Sequence, residues 1–534
     1  METRALLAVA LSVAVFYVFS TYIMPPPPPP VKSVQQRTSS VVQRQPPPPT
    51  APLSSGTSPL PVMPTVTGLP VKEIRVETDL YRALFSTKGG SLKRLVLRKY
   101  RENAGAGGKE VTIIGEESPE NFSLITDAKG IALDPAAVYS VNADGITVSG
   151  GEKRELIFSW ISPQGIMLSK SYTFQGNSYA IMLSQRLRNG SAARQEGTLR
   201  LLLNNPAAPR NNDTRFEQMG AVTLTDTTVK IDLVKDLAKG PRQYDKGILW
   251  TGFDDKYFLS AVLARNSSIA QVGIVGNPAG RDITTVSFNP VALNPGAEDS
   301  RESLLYFGPK DLEILKAQGN ELERAIDLGW FSALAKPLLQ ILKFLYKYVH
   351  NYGIAIIIVT VVLKVLFFPL TYKSYKSMKD MQKLQPKMAE LKEKFKNDRD
   401  AMNKAVMELY KSHKVNPMGG CFPMIVQIPV FFALYKALMF SIELRHAPFF
   451  FWIQDLSGKD PYYVTPLIMG ATMFIQQKMT PTAGMDPTQA KMMLMLPVVF
   501  TFMFLSFPSG LVLYWLVNNI LTIGQQYYIN KQLK

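Results

Sequence analysis

The sequence is poor in the side chains that bind metals or catalyse reactions. Its 534 residues include one cysteine, Cys421, and three histidines, His350, His413 and His446. A single cysteine excludes a disulfide bond within the chain and a cysteine cluster for a metal. The chain up to residue 349 contains no histidine, so imidazole catalysis and most transition-metal sites are excluded there. The nucleotide-binding pattern GxxxxGK(S/T) is also absent, and we expect no cofactor and no ATP-driven step.

Positive charge, by contrast, is in excess. The formal net charge is +17. A polar, strand-like half extends to about Gln318, and long apolar runs dominate the rest. In a membrane protein, an excess of Lys and Arg first indicates cytoplasmic loops and contact with anionic lipids. A ribosome would also fit this charge, whereas sequence-specific recognition of nucleic acid is not expected.

The first 70 residues combine an apolar segment with a proline-rich one. Ala5–Met24 is a run of 20 apolar or mildly polar residues that ends directly in six prolines. A cleaved signal peptide has a shorter apolar region and a small-residue cleavage site. The run therefore favours an uncleaved transmembrane anchor, with its N-terminus in the cytoplasm, over a signal peptide. Pro25–Pro70 contains 15 prolines and is predicted to be an extended, disordered linker.

Residues 71–318 have the alternating pattern of β-strands. A stretch of this length with few helical patterns predicts a large all-β sandwich domain. Turn dipeptides separate the strand-like segments, at 89–90, 150–151, 189–190 and 277–278. The alternation itself is clearest at 71–78, 91–100, 178–189 and 282–293.

Two adjacent carboxylates in this half, Asp254 and Asp255, invite comparison with a catalytic pair. Neighbouring residues on a strand point to opposite faces of the sheet, which disfavours a catalytic pair. We predict instead that both lie in a loop or on a solvated edge.

The segment 326–348 has the pattern of an amphipathic helix. At 100° per residue, Leu334, Leu338, Ile341 and Leu345 fall on one face, and Lys336, Lys343 and Lys347 fall on the opposite face. The pattern predicts a helix that lies on the membrane surface. An ordinary surface helix packed on the β domain is the alternative.

Five apolar runs come next, and with Ala5–Met24 they predict six transmembrane spans. The later five are Gly353–Leu370, Met418–Ile442, Tyr462–Gln477, Met493–Phe507 and Leu511–Tyr527. Between the first two of these lies a polar segment, Tyr372–Pro417, with 12 Lys or Arg against 6 Asp or Glu. It reads as a helical hairpin with a turn near Asn397–Asp400, and its charge places it in the cytoplasm. Both termini are then cytoplasmic and the β domain lies outside.

Lys364 is the residue that does not fit its surroundings. It lies within Gly353–Leu370, where a lysine costs about 2.5–3.5 kcal/mol on insertion scales. Thr360 and Thr371 fall on the same helical face, and Gln427 in another span is a candidate partner. No Asp or Glu lies in the hydrophobic part of any predicted span. The pattern favours a hydrated cavity open to the cytoplasm over a lysine that reaches the headgroups.

Four stretches of the second half resemble the YidC/Oxa1/Alb3 family of membrane protein insertases, in its Gram-negative type. The resemblance extends from about Gly329 to the C-terminus, and the order of anchor, linker, β domain and five-span core is also similar. The stretches are SYKSMKDMQKLQPKMAELKEKF, VNPMGGCFPMIVQIPVFFALYKAL, ELRHAPFFFWIQDLSGKDPYYVTPLIMGATMFIQQKM and FPSGLVLYWLVNNILTIGQQ.

The resemblance implies a fold and a division of the chain. The fold is an α-helical membrane protein with six transmembrane helices plus a large all-β periplasmic domain, a β-super-sandwich of the galactose-mutarotase-like kind. The chain divides into an N-terminal anchor (1–24), a proline-rich linker (25–70), the periplasmic domain (71–318), an interfacial amphipathic helix (319–350) and a five-helix core (351–534) whose cytoplasmic hairpin is 373–415.

The resemblance also implies a substrate groove with one positive charge, closed to the periplasm. The charge is usually an arginine, and Lys364 stands at the matching position without the bidentate fork of a guanidinium. Thr360, Gln427 and the pair Tyr514–Trp515 match groove-lining positions, although the pair is more often two tyrosines. Lys436, near the outer end of its span, replaces a more usual apolar residue and is expected to reach the headgroups.

The implied function is insertion and chaperoning of inner-membrane proteins, without enzymatic activity. The implied partners are nascent membrane proteins, the Sec translocon, membrane lipids and, weakly through cytoplasmic loops, the ribosome. One alternative is a secondary transporter or channel for an anionic solute, but the sequence has no internal repeat that would favour it. A second is a membrane-anchored sugar-active enzyme, which the absence of histidine from the polar half disfavours.

Overall fold

The computed structural model of the chain describes residues 69–532, apart from 106, 116–121, 205–219, 227, 266–267, 277–281, 396–397, 414, 416–421 and 481–486. The predicted anchor 1–24, almost all of the linker 25–70 and the predicted turn at 277–278 lie outside the described residues. The described residues comprise a β domain and a helical core.

Twenty strands are present among the described residues. The first ten are β1 (Glu73–Glu77), β2 (Tyr81–Ser86), β3 (Ser91–Arg101), β4 (Glu110–Gly115), β5 (Ile125–Lys129), β6 (Ser140–Val141), β7 (Gly145–Thr147), β8 (Lys153–Ile161), β9 (Ile166–Gln175) and β10 (Ala180–Asn189). The others are β11 (Gln195–Asn204), β12 (Gly220–Thr225), β13 (Thr228–Leu233), β14 (Arg242–Tyr244), β15 (Ile248–Asp254), β16 (Phe258–Ala264), β17 (Ile269–Gly276), β18 (Asp282–Phe288), β19 (Val291–Leu293) and β20 (Glu298–Pro309). All four predicted strand segments contain strands, and the fourth contains two.

The strands form two sheets. A five-stranded sheet has the order β4-β3-β2-β1-β7, and a 15-stranded sheet runs β19-β11-β18-β17-β15-β16-β20-β10-β9-β8-β6, with β5, β12, β13 and β14 attached beside this path. Alternate side chains along β9 are buried, as expected for a strand with one face in the core. Phe85 of β2 packs on Phe158, Tyr172 and Phe174 of the large sheet, so the small sheet covers the β8–β9 end of the large one.

A lysine is buried where the two sheets meet. The Lys170 side chain on β9 is fully buried, and its Nζ donates to the carbonyl oxygens of Gly89 (3.0 Å) and Leu124 (2.6 Å). Gly89 and Gly90 have φ of 70° and 52°, a left-handed turn that glycine adopts without strain. Burial disfavours the charged ammonium and lowers the pKa of Lys170 to about 7. Two carbonyl acceptors match the two N–H groups of a neutral amine.

We therefore expect the free energy of unfolding to rise with pH between about 7 and 10.5. In this window the unfolded lysine still binds a proton that the folded one has lost, so a higher pH favours the folded state by up to about 1.4 kcal/mol per pH unit. Below pH 7 both states are protonated and the dependence vanishes. Thermal unfolding of the wild type and of Lys170→Met, monitored by tryptophan fluorescence, measures this difference. Parallel pH profiles for the two proteins would show that Lys170 remains charged when folded.

The prediction for Asp254 is wrong. It ends β15 and is buried, with Oδ1 2.7 Å from the ammonium nitrogen of Lys310, which is itself buried. Burial raises the pKa of Asp254 to about 6, against the opposing effect of Lys310. No local pattern indicated this partner, because Lys310 is 56 positions away, beyond the end of another strand. Asp255 leaves the strand and is only half-buried.

Eleven α-helices are present among the described residues. They are α1 (Val234–Leu237), α2 (Leu312–Gln318), α3 (Ser332–Val349), α4 (Tyr352–Leu366), α5 (Phe368–Lys383), α6 (Gln385–Lys394), α7 (Arg399–Ser412), α8 (Phe422–Phe440), α9 (Val464–Met479), α10 (Pro487–Phe504) and α11 (Ser509–Gln532). Short 3₁₀ turns occur at Leu322–Ala325, Gly329–Phe331 and Ile442–Leu444. Asn351 caps the N-terminus of α4, because its side chain accepts a hydrogen bond from the N–H of Ile354.

The predicted amphipathic helix corresponds to α3, but its buried face is not the predicted one. Ala335, Leu338, Leu339 and Leu342 are buried, whereas Leu334 and Ile341 are 44% and 46% exposed. The helix has apolar residues on more than one face, and contact with α8 and α4 selects one of them. The stripe that contains Leu334, Ile341 and Phe344 stays exposed.

Helix α3 also ties the β domain to the helical core. Lys343 forms ion pairs with Asp311, at the start of α2, and with Glu443, in the loop after α8. The two carboxylates raise the pKa of Lys343 despite its partial burial. In the same loop, Arg445 donates to the carbonyl oxygen of Glu102 at 3.2 Å and lies over the rings of Tyr257 and Phe258. This set of contacts holds the loop after α8 against the β domain.

No single helix among the described residues is both long and apolar enough to span a membrane. Helices α4 and α5 pass that test as a pair, but they are bent by 58° at Phe367. Pro369 lies in the first turn of α5, where it has no N–H to continue the helix from α4. Shorter apolar helical segments occur at Ile425–Phe440 and Met492–Phe504. The count of six spans therefore remains a prediction.

The polar segment after the bend contains three helices, and the two predicted ones correspond to α6 and α7. Helix α5 continues from the apolar segment, and α6 and α7 lie side by side, with the hydroxyl of Tyr410 3.3 Å from the sulfur of Met388. Asp398 caps α7 by accepting from the N–H groups of Asp400 and Ala401. Helix α6 ends at Lys394 and α7 begins at Arg399, so the interval between them overlaps the predicted turn near 397–400.

Candidate functional site

A small cavity lies where α4, α8 and α11 meet. Its volume is about 30 Å³, enough for one or two water molecules. Four of the five sequence-predicted site residues line it. They are Thr360, Lys364, Gln427 and Tyr514, and the rest of the lining is Leu363, Phe367, Leu370, Thr371, Val430 and Asn518. The cavity is much smaller than the open groove that the resemblance implies.

The ammonium group of Lys364 binds a hydroxyl rather than a carboxylate. Its Nζ donates to Oγ1 of Thr522 on α11 over 2.8 Å. The Thr522 hydroxyl in turn donates to the carbonyl oxygen of Asn518 over 2.6 Å. Among the described residues, no Asp or Glu forms an ion pair with Lys364. The positive charge is therefore held in place but is not neutralised by a described carboxylate.

Amide side chains complete the polar surroundings of Lys364. Gln427 on α8 donates from Nε2 to Oδ1 of Asn518 over 3.0 Å, which joins two of the helices that enclose the cavity. Gln525 donates to the carbonyl oxygen of Lys364 itself over 3.2 Å. That carbonyl belongs to the last turn of α4, whose carbonyl groups have no partner within the helix. Gln525 thus fixes the end of α4 that carries Lys364.

The two threonines that share a face with Lys364 bond to their own helices. Thr360 donates to the carbonyl of Ile356 over 2.7 Å, and Thr371 donates to the carbonyl of Phe367 over 3.0 Å. Back-bonding of this kind satisfies a hydroxyl in an apolar environment and frequently bends a helix. Thr371 lies just after the bend at Phe367, so its bond supports the first turn of α5.

The side chains of the adjacent residues Tyr514 and Trp515 lie in two different surroundings. Tyr514 lines the cavity and is buried. Trp515 does not line it; its ring packs on Phe431, Phe500 and Phe504, with centroids 4.7, 6.2 and 5.1 Å away. Successive residues on a helix point about 100° apart, so the two side chains cannot both face the cavity. In this structure Trp515 packs α11 against α8 and α10.

The sequence reasoning named Tyr514 and Trp515 on α11 but missed the polar face of this helix. Asn518, Thr522 and Gln525 fall at i, i+4 and i+7 on one face of this helix, and each contacts the Lys364 site. A second row, Asn519 and Gln526, bonds to α9. Polar residues at helical spacing in an apolar run were the signal that could have found them.

Lys436, expected to reach the headgroups, has a partner. Its Nζ lies 3.3 Å from Oδ2 of Asp327, before α3, and 4.8 Å from the centre of the Phe440 ring. The ion pair draws α8 toward the segment that leads into α3. Lys436 therefore contributes to the contact between α8 and the segment before α3, and it lies outside the Lys364 site.

Comparison with known proteins covers nearly all of the described chain. The model of the YidC periplasmic domain matches residues 73–341, and the model of the 60Kd inner membrane protein matches residues 344–534. Over 535 residues the chain is 60% identical to the membrane protein insertase YidC of Geotalea uraniireducens, with 100% of both chains covered. It is 58% identical to that of Geobacter metallireducens, over 100% of this chain and 99% of the relative.

The chain belongs to the YidC family. Among solved structures, the chain is similar to a YidC insertase crystal structure with the first transmembrane domain resolved. The match covers 86% of this chain and 92% of that chain, with 17% sequence identity and a TM-score of 0.36. A galactose mutarotase-like protein from Lactobacillus casei covers 44% of this chain and 100% of its own, with 8% identity and a TM-score of 0.29. Both scores lie below 0.5, and the membership rests on the sequence matches.

Family membership divides the chain at α3. The YidC periplasmic domain ends at residue 341 and the inner-membrane part begins at residue 344. Lys343, which binds a carboxylate on each side, lies between these two bounds. As a YidC-family protein, the chain thus joins a mostly β-sheet periplasmic domain to an inner-membrane helical part through one helix.

Proposed function

We propose that this protein inserts membrane proteins into the inner membrane and helps them fold, and that the site around Lys364 is where the substrate passes. The observation that carries the proposal is a lysine on an apolar helix, held by the hydroxyl of Thr522 and not neutralised by any described carboxylate. Relatives that are 60% and 58% identical over the whole chain are named membrane protein insertases.

The electrostatics of Lys364 provide a mechanism. The polar, often acidic, outer segment of a substrate loses hydration when it enters an apolar region, and this loss is the main cost of crossing. Two opposite charges 4 Å apart attract by about 4 kcal/mol at an effective dielectric constant of 20. Lys364 offsets part of this cost when the segment is part-way across. The ammonium acts as a point charge, because a lysine lacks the fork that would clamp a carboxylate.

The remaining steps depend on the arrangement of the helices. The basic helices α5, α6 and α7 receive the nascent segment at the cytoplasmic face. The segment then leaves sideways into lipid, driven by burial of its apolar surface at about 25 cal/mol per Å². This scheme keeps the six-span topology with both termini in the cytoplasm, the β-super-sandwich in the periplasm and α3 at the membrane surface. The proposed partners are nascent membrane proteins, lipids, the Sec translocon and, weakly, the ribosome.

Reconstitution tests the proposal directly. Liposomes that contain only the purified protein should insert a small single-span membrane protein with an acidic translocated tail, scored by protection of the tail from protease. Addition of the Sec translocon to a parallel sample separates independent from cooperative action. Protein-free liposomes show the background of spontaneous insertion.

The same liposomes distinguish the transporter or channel alternative. Flux of chloride or phosphate, measured with an entrapped indicator, should match that of empty liposomes, since the cavity at Lys364 holds only one or two waters. Anion flux without insertion would overturn the proposal in favour of a solute pathway.

A further inference from the structure

A large cleft lies far from Lys364, on the outer face of the five-stranded sheet. Its volume is about 660 Å³, within the range of ligand-binding pockets. Cross-strand pairing places Arg75, Leu84 and Arg94 in one row and Glu77, Arg82 and Val96 in the next. Leu84 and Val96 form an apolar floor, and charged side chains surround it.

The cleft is concave because β3 is irregular. Its pairing shifts register once against β2, at Leu84/Phe85, and twice against β4, at Leu95/Val96 and Leu97/Arg101. Bulges of this kind bend a strand and increase its twist, and they occur preferentially beside functional sites. The bend turns the end of the β3–β4 hairpin into a wall that carries Glu102, Lys109 and Glu110.

The arginines of the cleft differ in whether they form an ion pair with a described residue. Arg82 forms an ion pair with Glu110. Arg75 and Arg94 are exposed, and neither makes an ion pair or side-chain hydrogen bond with any residue that the structure describes. They flank Leu84 from the two neighbouring strands, so their backbones are roughly 9–10 Å apart. One end of the cleft therefore presents two free guanidinium groups beside an apolar floor.

These features select an extended acidic peptide as the occupant. Guanidinium groups bind carboxylates through paired charge-assisted hydrogen bonds. In an extended chain, residues two apart project the same way about 6.8 Å apart, which brings two acidic side chains within reach of both arginines. The wall of the cleft also touches the core, because the carbonyl of Glu102 accepts from Arg445 in the loop after α8. The cleft thus opens beside the outer end of the helical core.

We propose that this cleft, formed by Arg75, Leu84, Arg94 and Val96, binds the acidic translocated segment of a substrate as it leaves the core. The inference rests on the proposed insertase function for the identity of the ligand. It assigns the periplasmic domain a receiving role: the acidic segment that Lys364 attracts part-way across the membrane meets two further positive charges outside.

Peptide binding to the full-length protein tests the cleft without any insertion step. The protein is placed in phosphatidylcholine nanodiscs, and fluorescence anisotropy monitors a short labelled peptide that alternates glutamate and valine. Arg75→Gln/Arg94→Gln should weaken binding by about tenfold or more. Lys99→Gln/Arg188→Gln removes two exposed positive charges elsewhere in the domain and should leave binding unchanged. A peptide with lysine in place of glutamate should not bind.

Equal losses in the two double variants, or no loss in either, would overturn the proposal. A photo-reactive residue at Val96 provides a second readout, since it should crosslink to the translocated tail of a substrate during insertion; adducts with lipid alone would count against the cleft as a peptide site. Lys364→Ala should block insertion and leave peptide binding intact. Failure of the cleft and failure of the insertase mechanism are thus separately observable.

Discussion

Lys364→Ala should reduce insertion of substrates with acidic translocated tails by tenfold or more. The substitution removes the positive charge that Thr522 holds at the cavity. An attraction of about 4 kcal/mol at 4 Å is lost, and each 1.4 kcal/mol of barrier corresponds to a factor of ten in rate. Lys364→Arg should retain activity because it keeps the charge, whereas Lys364→Glu should be worse than alanine because it repels the tail. Protease protection of the tail in proteoliposomes measures all three.

Two further variants test whether insertion depends on the positive charge of Lys364 itself and on where that charge is held. Lys478→Ala removes a lysine from the end of α9, outside the cavity lining, and should insert as the wild type does. Thr522→Val keeps the charge of Lys364 but removes its hydrogen-bond acceptor, and should cause a smaller loss than Lys364→Ala. Insertion of substrates with neutral tails should be little affected by any of the three substitutions at Lys364. If Lys364→Ala inserts acidic and neutral tails equally well, the electrostatic mechanism is wrong.

Gly470→Ala should destabilise the helical core by about 1–3 kcal/mol. Gly470 is buried in α9, and a Cβ there would overlap the side chain of Thr501 on α10. Small residues at such crossings let helix backbones approach closely, and close packing is what holds helices together in lipid. The thermal midpoint of the detergent-solubilised protein should fall, and insertion activity should fall with it.

A second substitution should restore the packing. Thr501→Ala removes the atoms that a Cβ at residue 470 would meet most closely, so Gly470→Ala/Thr501→Ala should recover most of the lost stability. Gly524→Ala is the matched control, because a Cβ at Gly524 on α11 meets nothing within 4 Å. It should be neutral or slightly stabilising, as alanine is favoured over glycine in a helix. An unchanged midpoint for Gly470→Ala would mean that α9 and α10 are not tightly packed.

The sequence pointed to the β domain and to part of the site through local patterns. Alternation located strands such as β3 and β10, because each buries one face. Lys364 stood out because a charge in an apolar run is rare. Helical spacing then placed Thr360 on the same face as Lys364. These signals lie within a few residues of one another along the chain.

Features that depend on distant partners were not predictable in the same way. The burial of Asp254 required Lys310, and the buried face of α3 required contact with α8. Thr522 is 158 positions from Lys364, so nothing local identified it as the acceptor. Trp515 was assigned to the groove together with Tyr514, although the helical turn between neighbours separates them. The bend at Phe367 was also missed, because the predicted span Gly353–Leu370 runs through it, although Pro369 was a local signal for a break.

The bend at Phe367 has a consequence for how a movement of α5 would reach α4. Lys364 lies three residues before the bend, and the basic helix α5 begins immediately after it. Gln525 donates a hydrogen bond to the carbonyl oxygen of Lys364 and so holds the end of α4 in place, next to the bend where α5 begins. On the proposed function, capture of a nascent chain by α5 would change the angle at Phe367 and so reorient the last turn of α4, which carries Lys364.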